Sequence, residues 1–129
     1  MEREDLARWI AGYERAWRTP GTALLEQLFT SDATYIASPF EPPIQGRPDI
    51  ASFWEAEREG PDESFSMDWE PVAVENNVGV ARIEVRYGNP TIRIYRDVWI
   101  VTLDEDGLCT SFEEWPFFPE QPRVADDPE

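Results

Sequence analysis

A chain of 129 residues, 41% hydrophobic and 13% aromatic, is long enough for one domain with a real core and too regularly patterned for a disordered class. Its 27 acidic residues against 11 basic ones give a formal net charge of -16, which repels phosphate backbones and anionic headgroups and sets nucleic acid and membranes aside as partners. Every basic residue is arginine, and with no lysine and no histidine the chain lacks a Schiff-base nucleophile, an imidazole base, a Ser-His-Asp triad and a histidine-rich zinc site, so proton transfer falls to carboxylates, tyrosine or arginine contacts.

In chain order, Leu6, Trp9, Ile10, Tyr13, Ala16 and Trp17 recur at helical spacing and predict a first helix from about Arg3 to Trp17. Thr19, Pro20 and Gly21 break it. Leu24, Leu25, Leu28 and Phe29 then predict a second short amphipathic helix, hairpinned onto the first. Thr34, Tyr35 and Ile36 favour a short strand over 33–37. Pro39, Pro42 and Pro43 make the next stretch a stiff loop, and Gly46 with Pro48 opens a third helix whose apolar face is Ile50, Phe53 and Trp54 and whose stop is Gly60-Pro61.

Beyond that point the pattern is strand. The stretches 64–74, 78–87, 91–103 and 108–118 are rich in β-branched and aromatic residues and are separated by Asn76-Asn77, Gly88-Asn89-Pro90 and Asp106-Gly107, which predicts four hairpin-linked antiparallel strands. Helices followed by strands argue an α+β domain over residues 1–118, with a loose polar tail over 119–129. Asp104 to Gly107 begins like a calcium loop but lacks the later ligands and the closing glutamate, so it reads as a hairpin turn. The lone Cys109 cannot form an internal disulfide. No signal-peptide pattern opens the chain and no apolar run reaches the roughly 20 residues of a membrane span, so the cytoplasm is the expected compartment. Neither a metal nor a cofactor is expected.

The run DATYIASPFEPPIQGRPDIASFW, the Tyr13 to Trp17 helix before it and LDEDGLCTSFEEW near the end resemble the NTF2-like superfamily, in its SnoaL-like and ketosteroid-isomerase-like branch, over essentially residues 3 to 118. The resemblance implies a cone-shaped, cystatin-like fold: a curved mixed sheet wrapped around three helices, a deep apolar pocket, and often a homodimer. In ketosteroid isomerases a tyrosine of the first helix and a protonated aspartate form the oxyanion hole, and an aspartate before a Pro-Phe pair is the base. Tyr13 matches the first role, whereas the base position falls on Ser38 and the oxyanion acid on Trp99, which argues against steroid isomerisation by that route.

The same comparison frames the sheet. With Trp99 facing the pocket, the two-residue period turns Tyr95, Asp97 and Val101 inward, together with Ala81, Ile83, Val85, Phe112 and Glu114, while Arg82, Glu84, Arg86, Val98 and Ile100 face away. For the strand starting at Ser64, both inward sets, Phe65/Met67/Trp69 and Ser64/Ser66/Asp68, fit. The candidate catalytic residues are therefore Asp97, Glu114 and Tyr13, and the candidate ligand-binding residues are Trp17, Tyr35, Ser38, Trp54, Ile83, Trp99 and Phe112. Asp97 is open to two roles, a base in a dry cavity or the ion-pair partner of Arg93 on the same strand face. Two function classes follow: a cofactor-independent isomerase, cyclase, dehydratase or epoxide hydrolase acting on a small apolar molecule, or a non-catalytic ligand-binding or dimerisation domain. The apolar outer face of the sheet is the expected homodimer surface.

Overall fold

The apolar stripe at the start of the chain does form a helix. In the computed structural model, which describes residues 1–58, 64–88 and 90–119, helix α1 spans Arg3–Arg18 and buries Leu6, Trp9, Ile10, Tyr13 and Ala16. The Asp5 carboxylate accepts the Glu2 backbone N–H at 2.8 Å, closing one of the donors that a helix start leaves open.

The expected second helix is a correction. Leu24, Leu25 and Leu28 supply the apolar stripe, but the segment is only a 3-10 turn over Ala23–Gln27. Five residues cannot offset the cost of nucleating an α-helix, and Phe29 is already drawn into the ladder of strand β1 (Phe29–Ile36), four residues before the expected strand start. Two α-helices, not three, are present among the described residues. The proline-rich stretch also holds a strand that the sequence reading missed, β2 (Ile44–Gln45), paired antiparallel with Thr34 and Tyr35. Helix α2 (Arg47–Glu57) follows Gly46, whose φ of 87° admits no side chain cheaply, and it buries Ile50 and Trp54. The Gly60-Pro61 stop, Asn89 and the tail from residue 120 lie outside the described residues.

The last four strands are β3 (Phe65–Glu75), β4 (Val78–Tyr87), β5 (Arg93–Leu103) and β6 (Cys109–Phe117), each antiparallel to the next. Strand β1 lies parallel to β6, so the six-stranded sheet is mixed, in the order β2-β1-β6-β5-β4-β3. It is open and uncurled where a cone was expected: β2 and β3 are its edges, and no ladder among the described residues joins them. At the β5–β6 turn the Asp104 side chain accepts the Asp106 and Leu108 N–H groups at 2.9 and 3.0 Å, the work of a turn residue rather than a calcium ligand.

Register fixes which side chains meet. Ile83 stands opposite Asp97, Trp99 opposite Glu114 and Val101 opposite Phe112, so all share the face that packs on α1. Trp69, Met67 and Phe65 stand opposite Ile83, Val85 and Tyr87, which settles the open frame of that strand in favour of the apolar set. Across the opposite face runs a ladder of ion pairs, Arg82 with Glu70, Arg86 with Asp68 and Glu84, and Arg96 with Glu84. Leu6 of α1 sits against Gly79 of β4 so closely that a Cβ there would meet its side chain at 2.8 Å, so the glycine sets the helix-to-sheet distance.

Candidate functional site

Between the two helices and the inner face of the sheet lies a cavity of about 810 Å³. Aromatic side chains form much of its wall, among them Tyr13 and Trp17 from α1, Tyr35 from β1, Phe53 from α2, Phe65 from β3, and Tyr95 and Trp99 from β5. Asp97 of β5 and Glu114 of β6 open onto the same space. They belong to adjacent strands, and the pairing of Trp99 with Glu114 places the glutamate beside the inward face of β5, two residues from Asp97.

The two carboxyl groups are hydrogen-bonded to one another. Burial drives Glu114 well above the usual carboxylate range, and the hydrogen bond and charge of Asp97 push it further, while the Trp99 indole, donating to Glu114 Oε2 at 3.3 Å, works the other way. Burial also raises Asp97, which is only 6% exposed, but here Glu114, Trp99 and the Phe117 backbone oppose the shift by hydrogen bonding to the ionised form. Asp97 thus ionises before Glu114, and the two titrate as a unit. Asp97 Oδ1 is buried with no hydrogen-bond partner among the described residues.

A second polar pair stands in the same wall. The Tyr13 and Tyr35 hydroxyls are 2.8 Å apart, both buried. Burial, chiefly, and then neighbouring charge hold both phenols far above their ordinary range, so both are neutral donors. Tyr13 packs at 4.5 Å from the Trp99 ring and 4.9 Å from the Trp54 ring, which fixes its orientation.

Of the ligand-binding candidates, Trp17, Tyr35 and Trp99 line the cavity. Trp54, Ile83 and Phe112 are buried in the packing around it, at 0%, 2% and 0% exposure, and are not among the lining residues. Ser38, at the position of the ketosteroid-isomerase base, is also outside the lining, which passes through Ala37, Glu41, Pro42 and Pro43 instead. Arg93 lines the cavity too, its guanidinium over the rings of Tyr87 and Tyr95 at 5.4 and 5.7 Å. The groups that act on Asp97 are Glu114, Trp99 and the Phe117 backbone, so the reading of Asp97 as ionised by Arg93 gives way to one in which its pKa is raised by burial. The sequence reading missed Phe53, Met67 and Tyr87 as lining residues. The alternation around Met67 was visible, but its register against β4 was not. Among the described residues no three His, Cys, Asp or Glu side chains gather as a metal site, and no helix is long and apolar enough to cross a membrane.

A family model for the SnoaL-like domain matches residues 8–112. Among solved structures, the chain is similar to a provisionally assigned isomerase of the SnoaL-like family from Agrobacterium tumefaciens strain C58, with a TM-score of 0.69 and 18% identity over 88% of this chain and 98% of that one. It is also similar to the epoxide hydrolase/cyclase-like enzyme SalBIII of pyran ring formation in the polyether salinomycin, with a TM-score of 0.66 and 14% identity over 88% of each chain. A provisionally assigned ketosteroid isomerase from Parabacteroides distasonis ATCC 8503 matches with a TM-score of 0.60 and 16% identity over 87% of each chain. No curated protein matches the chain. At these identities the structural likeness speaks for the fold.

Proposed function

This chain belongs to the SnoaL-like domain family, and from that premise we propose that it is a cofactor-independent acid/base enzyme acting on a small, largely apolar molecule in the aromatic cavity. Glu114 is the proton donor, Asp97 the acceptor, and Tyr13, backed by Tyr35, a hydrogen-bond donor to a substrate oxygen. The observation that carries this reading is the pair of buried carboxyls, Asp97 and Glu114, side by side on adjacent strands at the cavity wall, with burial raising both and Glu114 the more. Two carboxyls whose environments push their pKa values apart give an acid and a base at the same pH, which is what proton transfer in both directions needs. The similarity to an epoxide hydrolase/cyclase-like enzyme and to isomerases supports three of the reaction classes considered, namely epoxide opening, cyclisation and isomerisation.

The test is turnover of a panel of epoxides, hydroxy-epoxides, β,γ-unsaturated ketones and β-hydroxy ketones by the wild type and by Asp97→Asn and Glu114→Gln. Loss of a positioned acid or base lowers the rate by roughly 10²–10⁴-fold. Turnover that survives both substitutions would overturn the assignment. A small molecule that copurifies, binds stoichiometrically and is recovered unchanged would favour the second class, a binding domain without chemistry.

A further inference from the structure

Resting on the reading of the cavity as a site that takes the polar, reacting end of a small molecule, we infer that this molecule is elongated, and that its apolar tail leaves through the mouth and is held there by Phe40 and Ile92. Neither residue belongs to the cavity lining. That lining follows β5 from Trp99 through Asp97 and Tyr95 to Arg93, a span of roughly 20 Å at the rise of a strand. The volume of about 810 Å³ is therefore drawn out along one direction. Exposure rises along the same line, since Trp99 and Asp97 are buried, Tyr95 is half-buried and Arg93 is exposed. The floor lies at Trp99 and the mouth at Arg93. The polar groups gather at the floor, with Glu114 opposite Trp99 and the Tyr13 ring packed 4.5 Å from it.

Two large apolar side chains stand in water at the other end, Phe40 at 99% exposure and Ile92 at 81%. Topology places both. Ile92 immediately precedes Arg93 in the chain. Strand β1 runs parallel to β6 with Ile36 opposite Glu113, so the residues after Ile36 head the same way as Glu114 to Phe117, and Pro116 opposite Asp97 shows that this way leads toward Arg93. Ala37, Glu41, Pro42 and Pro43 of that loop line the cavity themselves, which leaves Phe40 on its rim.

Single exposed apolar residues are ordinary on a protein surface, but these two flank one opening and are carried on hydrogen-bonded turns. The Glu41 N–H donates to the Ser38 carbonyl at 3.0 Å around Pro39 and Phe40, with Pro42-Pro43 behind, and the Ile92 N–H donates to the Tyr87 carbonyl at 2.9 Å. Such turns make fixed lips, and a side chain already held in place loses little freedom on binding. The occupant is the ligand's own tail because the lips continue the cavity wall, Phe40 next to Glu41 and Ile92 next to Arg93. The tail is neutral. Glu41, Glu57 and Arg93, the charged groups at this level, are exposed, and the Arg93 guanidinium lies over the rings of Tyr87 and Tyr95, so their heads stay in water while a hydrocarbon passes between them. An anionic tail would meet two glutamates and a net charge of -16.

The experiment measures binding of p-ethylphenol, p-butylphenol and p-octylphenol to the full chain by calorimetry at pH 7, below the concentration at which the longest probe aggregates. The phenol oxygen suits the polar floor, the two shorter chains end inside the cavity, and the octyl chain passes Arg93. Each CH₂ that leaves water is worth about fourfold in affinity, so p-octylphenol should bind at least tenfold tighter than p-butylphenol. Phe40→Ser and Ile92→Ser, at exposed positions that tolerate change, should together cancel most of that gain and leave p-ethylphenol within twofold of the wild type. The inference is overturned if no member binds, if affinity stops growing beyond butyl, or if the two substitutions weaken short and long probes alike. It is equally overturned if they leave p-octylphenol unchanged and abolish self-association in light scattering, which would give the lips to a second copy of the chain. Turnover of the small panel substrates with no gain from chain length would sink this inference and leave the enzyme assignment standing. A length gain that the two substitutions remove, without turnover of any panel member, would do the reverse.

Discussion

Glu114 is the residue on which the acid/base reading can be checked without a substrate. Its carboxyl is raised by burial first and by Asp97 second, so the native chain binds more protons than the unfolded one above the ordinary carboxylate range. Stability from such a group is fully present at low pH and is lost as pH climbs from the unfolded value through the raised one. Glu114→Gln should therefore match the wild type at pH 4 and exceed it at pH 8, as read from urea unfolding at both pH values; a constant difference between the two would show that Glu114 does not titrate abnormally. Cys109 offers a second check. It is fully buried, and burial pushes its thiol up to about 12, so a disulfide reagent at pH 8 should leave the native protein unmodified and label it fully in urea. The inward position of Asp97 and Glu114 followed from a two-residue period once Trp99 was set inward. Their mutual hydrogen bond did not, since it depends on the register between β5 and β6.

Among the elements, the join between α1 and α2 rests on one side chain that no local pattern singles out. Arg58, at the end of α2, donates to the carbonyls of Thr19 and Gly21 at 2.8 Å each and lies over the rings of Trp17 and Trp54, with its side chain only 8% exposed. These bonds close carbonyls at and just beyond the end of α1. Arg58→Met keeps much of the packing and loses the donors, and hydrogen bonds from a charged group are worth about 1.5–3 kcal/mol each, so a loss of about 2–3 kcal/mol is expected in chemical denaturation. A loss below about 0.5 kcal/mol, the level of an ordinary surface change, would mean that water replaces the arginine at no cost. Gly79→Val forces a side chain onto Leu6 and should lower stability by about 1–3 kcal/mol through overpacking.

For the whole molecule, a homodimer through the outer face of the sheet stands as a proposal. Val98 and Ile100 are half-buried there, Trp115 and Phe117 are 41% and 49% exposed, and the ion-pair ladder flanks them. With -16 on each copy, association should tighten as salt rises from about 0.01 to 0.15 M, because the Debye length falls from about 30 to about 8 Å; light scattering that reports a monomer at every salt concentration would rule the dimer out. By itself the sequence determined the α+β class, α1, the helix after Gly46, the four hairpin-linked strands and the exclusion of imidazole and lysine chemistry, because periodicity, turn residues and composition are local properties. Only the tertiary structure decided that Leu24 to Leu28 make a 3-10 turn, that β1 runs parallel to β6, that the sheet stays open and that Asp97 meets Glu114 rather than Arg93. Those outcomes depend on which distant strand reaches the ladder first and on what lies across it, and no local pattern carries that information.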